Sequence, residues 1–159
     1  MGDYSYLGAA AVTAGTTAEY VFTDIPGLPS IMLAPSLDMN PVFLDLRLRM
    51  ALDSSFAPMP NRADPDRPTA AEIKAEDQHS REDDRILIAK SCARGWGRAP
   101  KDINGVSHDF TVDECLAFFR ALPDHMFDPV RRFCMNVRNF AGPVIVPEPA
   151  ELGNESQSA

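Results

Sequence analysis

Basic residues are in short supply: 15 Lys and Arg stand against 23 Asp and Glu, which leaves a formal charge of −8 at pH 7. Phosphate backbones and anionic lipids are bound mainly through an excess of Lys and Arg, so neither nucleic acid nor a membrane surface is an expected partner. Long hydrophobic runs are missing as well. The longest low-charge stretch, Tyr4 to Ala18, has no basic flank and falls short of the ~20 residues of a spanning helix, so neither a signal peptide nor a membrane span is expected. Cysteine is limited to Cys92, Cys115 and Cys134, an odd number, widely spaced among apolar neighbours. That pattern reads as buried free thiols in a reducing cytosol.

Site chemistry is equally sparse. His79, His108 and His125 are the only histidines, and none has the spacing of a helical zinc site. The acidic cluster Glu76, Asp77, Glu82, Asp83 and Asp84 lacks the alternation and central glycine of a calcium loop, and reads as a solvated helix start. No cysteine adjoins a histidine or a helix cap that would lower its pKa. Gly95-Trp96-Gly97 has no third glycine and follows a helical pattern, the wrong setting for a nucleotide loop. Pairs such as Asp124 and Asp128 occur in any acidic chain. No catalytic residue, metal or cofactor is therefore expected, and the chain is not expected to be an enzyme.

What is present is the composition of one globular domain, 159 residues with 45% hydrophobic and 24% charged content. The 14 prolines crowd into 26–41, 58–68 and 143–149, which read as loops, leaving only Pro100, Pro123 and Pro129 elsewhere. Tyr20 to Thr23 and Ser30 to Leu33 read as strands of a β-hairpin around Pro26-Gly27. Asn40-Pro41 reads as a cap and first helical position, opening a helix to about Leu52. Leu44, Leu46, Leu48 and Met50 alternate at strand period, but the cap and the strong helix formers favour helix. From Asp53 to Asp77, four prolines and many charges read as a linker.

A second helix is expected from Ser80, its cap, to Arg94, stopped by Gly95 and Gly97 as the chain turns around Trp96. Asn104-Gly105 marks a tight loop. Thr111 to Glu114 matches a capping box, opening a helix that ends before Pro123. Asp128-Pro129 repeats the cap-plus-proline start, and Val130, Phe133, Cys134, Val137 and Phe140 trace one apolar face of a helix from Pro129 to Ala141.

The expected organisation is a flexible N-terminus (1–18), a hairpin-plus-helix arm (19–52), a proline-rich acidic linker (53–79), a helical domain (80–142) and a disordered acidic tail (143–159). The fold class is mainly α, a small bundle of three to four helices with an N-terminal β-hairpin. The large aromatics are core candidates first. Trp96, Phe118, Phe119, Phe127 and Phe140 are also the candidate partner-binding residues, because a domain of about sixty residues buries its core only modestly.

The order Gly95-Trp96, Asp102-Ile103-Asn104-Gly105, Phe110-Thr111, Leu122-Pro123, Asn139-Phe140 resembles the tail assembly chaperones of long-tailed bacteriophages. Ile25-Pro26-Gly27 and Asn40-Pro41 are similar to the N-terminal parts of some members. The resemblance implies a small, mostly helical protein of the host cytoplasm that self-associates and binds the tape measure protein and tail tube protein before tail polymerisation. It carries over no catalytic residues. The insert from Ala57 to Pro68 and the apolar N-terminus depart from the pattern and leave open a structural virion protein, a head, connector or tail component retained in the particle.

Overall fold

The computed structural model describes residues 2–4, 15–37, 39–53, 63–64 and 66–141. The expected disordered tail, most of the flexible N-terminus and the proline-rich centre of the linker lie outside the described residues. Two short antiparallel strands come first, β1 (Ala18–Val21) and β2 (Ser30–Leu33), with Tyr20 opposite Ile31. Their connection contains the turn that Pro26-Gly27 announced. Leu28 donates its N–H to the Ile25 carbonyl, and Gly27 sits at φ +86°, a left-handed position that glycine occupies without steric cost.

The helix α1 (Pro41–Leu52) starts where Asn40-Pro41 places it, and the alternating leucines are helical. Asn40 does more than cap. Its Oδ1 accepts from the Phe43 N–H, while its Nδ2 donates to the carbonyls of Pro35 (2.9 Å) and Ser91 (3.0 Å), joining α1 to the end of the next helix.

That next helix, α2 (Ala70–Ser91), begins ten residues before the expected cap. Thr69 accepts from the Glu72 N–H at 3.2 Å and Glu72 accepts from the Thr69 N–H at 2.7 Å, a reciprocal cap inside the segment expected to be linker. Ser80 lies in mid-helix. His79, expected on a loop or in solvent, faces Asp83 one turn on, at 3.2 Å. A second correction follows directly. The chain runs from α2 into a third strand, β3 (Ala93–Arg98), instead of turning around Trp96, and β3 pairs antiparallel with β2 so that the sheet order is β1-β2-β3. Among the described residues the fold is thus a mixture of four α-helices and a three-stranded sheet, with the expected hairpin supplying two of the three strands.

A Cβ on Gly97 in β3 would stand 2.5 Å from both Glu19 Oε1 and Ser30 Oγ, which are themselves hydrogen-bonded across the sheet, so that pair would have to shift. α3 (Val112–Ala121) is capped by Thr111, whose side chain accepts from the Glu114 N–H at 3.0 Å; the other half of the expected capping box, from the Thr111 N–H to the Glu114 carboxylate, is not formed. α4 (Asp124–Met135) is a correction in both ends. It opens at Pro123, whose carbonyl accepts from Met126 and Phe127, places Pro129 inside its second turn, and gives way to a single 3-10 turn at Val137–Asn139. Pro129 lies past the first turn, where it has no N–H to donate to the His125 carbonyl and its ring presses on that carbonyl.

One core joins all of this. Phe22, Ile31 and Leu33 from the hairpin and Phe43 from α1 share a cluster with Ile88, Phe119, Phe127 and Val130. Arg85, itself buried, closes the α2 side: Nε donates to the Phe119 carbonyl (3.0 Å), Nη2 to Asp124 (2.8 Å), and its guanidinium lies 4.9 Å over the Phe127 ring. All three cysteines are buried in the same interior.

Candidate functional site

The five candidate aromatics separate cleanly by burial. Phe119, Phe127 and Phe140 belong to the interior, at 0%, 1% and 7% exposure, where no partner can touch their rings. Trp96 and Phe118 are only partly buried, and the structure brings these two together, ring centroids 5.6 Å apart and nearly perpendicular. Phe110 packs on the other side of the indole at 5.3 Å, and Phe22 supports Phe118 at 5.1 Å.

Around Trp96 and Phe118 opens a cleft of about 480 Å³, within the range of ligand pockets. Each wall follows from local sequence. The Pro26-Gly27 turn projects Ile25 into it, the α3–α4 corner at Leu122-Pro123 supplies the far wall with Met126, and β3 supplies Trp96. The rim comes from the loop between β3 and α3. Lys101 and Ser107 form a bridge across the base of that loop, Gly105 takes φ +75°, and Asp102 Oδ1 accepts from the N–H groups of Asn104 and Val106 at 2.8 and 2.9 Å. Ile103 is thereby held at the tip, fully exposed.

His108 and Asp102 pair on the rim at 2.9 Å. The hydrogen bond with Asp102 lifts the His108 imidazole above its ordinary value, and the same bond, with the Val106 and Asn104 amides, holds the Asp102 carboxyl below the usual range. The hydrogen bond between the two ties both ends of the loop that carries Ile103.

A second groove of about 610 Å³ shares Ile25, Pro100, Lys101 and Phe118 with the first. Its further wall is Pro26, Pro29 and Arg98. The two together form an apolar, partly aromatic trough whose second half has cations and no carboxylates on its walls. Sequence reasoning missed Ile25 and Ile103 because each sits in a turn, where helical and strand periodicity carry no information, and Met126 because the helix was expected to begin only at Pro129.

Among the described residues no group of three or more His, Cys, Asp or Glu side chains is arranged to hold a metal ion, and no helix is long and apolar enough to cross a membrane. The thiols are remote from solvent: burial pushes Cys115 up to about 12, and Cys92 and Cys134 meet inside the core, with the Cys134 hydrogen bond holding Cys92 low. No family model, curated protein or solved structure matches the chain.

Proposed function

We propose that this chain is a protein-binding assembly factor that holds an apolar segment of its partner in the cleft between Trp96 and Phe118. The single observation behind this reading is the cleft: partly exposed aromatics on a stable floor, with a fully exposed isoleucine on its rim, the kind of anchor surface that protein interfaces use. The motif order that resembles phage tail assembly chaperones supplies the partners, the tape measure protein and the tail tube protein, met in the host cytoplasm before polymerisation. Self-association belongs to the same reading.

Co-expression with the tape measure protein encoded nearest to it tests the proposal. The partner stays soluble with this chain and precipitates without it, and Ile103→Asp, a substitution at a solvated position, abolishes the protection. Equal precipitation with and without the chain overturns the role. A structural virion protein is the alternative, favoured by β1 being an outer strand of the sheet, where a neighbour's strand could add. Mass spectrometry of purified particles separates the two, since stoichiometric presence supports the structural reading and absence supports the chaperone.

A further inference from the structure

Arg98 and Lys101 line the second half of the trough, on either side of Ala99-Pro100. Both are exposed, and neither has a carboxylate within ion-pair distance among the described residues. Arg98 donates to the Gly27 carbonyl at 3.3 Å, and Glu19, which shares a hollow of about 210 Å³ with it, accepts from Ser30 Oγ instead. By contrast, Arg81, Arg85, Arg120 and Arg131 each meet an Asp or Glu. The backbone under each trough cation is pinned: β3 pairs Arg98 with Ser30, and Lys101 is bridged to Ser107 across the base of the rim loop. Two cations thus stand at fixed places beside an apolar cleft, without internal partners, on a chain of net charge −8.

Charge along the trough is polarised. Asp102 and Glu114 stand on the walls of the first cleft, whereas the second groove has Arg98 and Lys101 and no carboxylate. Lys101 and Phe118 line both, so the aromatic floor and the cationic wall adjoin, and neighbouring residues of one bound segment meet the two. We propose that the trough takes a partner-protein segment in which a large apolar side chain is followed by carboxylates, the apolar group seated on Trp96 and Phe118 and the carboxylates held by Arg98 and Lys101. An arginine fork and a lysine ammonium suit that chemistry, because both donate charge-assisted hydrogen bonds to carboxylate oxygens. The surrounding negative charge repels a partner that is acidic throughout, so the trough selects acid placed next to an apolar anchor. This rests on the cleft being a partner-binding surface.

The probes are two fluorescein-labelled peptides, Leu-Phe-Glu-Glu between Gly-Ser spacers and the same peptide with lysines in place of both glutamates. Anisotropy reads their binding to the full chain, and the emission of Trp96, the only tryptophan and a wall of the cleft, reports where unlabelled copies bind. The acidic peptide should shift Trp96 emission and bind roughly tenfold tighter than the lysine peptide, an advantage that ~1 M salt removes. Arg98→Glu with Lys101→Glu should reverse the preference; if that variant fails to fold by circular dichroism, Arg98→Gln with Lys101→Gln must abolish it. Equal binding of the two peptides with a Trp96 shift overturns the proposal while leaving the cleft a peptide-binding surface. Absence of a shift with either peptide overturns it as well, and co-expression then judges the assembly role separately. Dimers in sedimentation that the acidic peptide fails to dissociate, with no peptide bound, put a second copy in the trough and also overturn it.

Discussion

Asn40 shows how much one side chain can hold. It caps α1 through its oxygen and satisfies two buried carbonyls through its nitrogen, so Asn40→Asp keeps the cap but turns two donors into acceptors facing acceptors. The expected loss is roughly 2–4 kcal/mol by chemical denaturation, larger than the ~1 kcal/mol of an ordinary cap deletion. Arg85→Met keeps the apolar packing on Phe127 but removes one hydrogen bond each from the Phe119 carbonyl, which keeps the Leu122 N–H, and from Asp124, which keeps Arg81 at 2.6 Å, so its cost should be smaller than that of Asn40→Asp. On the rim, His108 should titrate above the ordinary imidazole value of about 6.5, and Asp102→Asn should return it to that value in an NMR titration. The sign follows from the shifts. The raised His108 contributes stability that is full below the ordinary imidazole pKa and lost as pH rises through its folded value. The lowered Asp102 contributes above the ordinary carboxylate pKa and is lost as pH falls through its own. The loop bearing Ile103 is therefore tightest in mildly acidic solution.

At the level of elements, β3 offers a paired test. Gly97→Ala should cost about 1–3 kcal/mol, because the new Cβ runs into Ser30 and Glu19, whereas Gly95→Ala meets open space and should be neutral or slightly stabilising in a thermal melt. The two glycines also show why β3 was hard to read: a six-residue strand with only Ala93 and Trp96 as apolar members has no alternation to detect, although glycine inside a strand is itself a sign of close backbone approach. α1 and α3 were legible because Asn40-Pro41 and Thr111 act locally through their own caps. α2 was not, since Pro68 and the charges that follow it outweighed Thr69 and Glu72, two residues whose pairing sets the true start. α4 shifted because a proline that looks like a first helical residue also fits one turn later. The cleft was half legible for a related reason. Aromatic content pointed to Trp96 and Phe118, but only packing decides that Phe119, their neighbour in sequence, faces the other way.

For the whole molecule, the decisive fact is that hairpin, α1 and the later helices share one core. Fluorescence of Trp96 and far-UV circular dichroism should therefore report coincident unfolding transitions. Expressed as two pieces, residues 1–67 and 68–159 should elute together, and the second piece alone, deprived of Ile31 and Leu33, should melt without cooperativity. Two separate melting steps would contradict the shared core. The sheet order has a consequence in time. β2 is the central strand, yet its second neighbour is encoded some sixty residues later. At about 5–20 residues per second, the ribosome makes Leu33 roughly 3–13 s before Arg98. For that interval the nascent hairpin lacks its third strand, and α3 and α4, whose Phe119, Phe127 and Val130 share its core, follow later still, which makes the growing chain a client of whatever shields apolar surface at the tunnel exit.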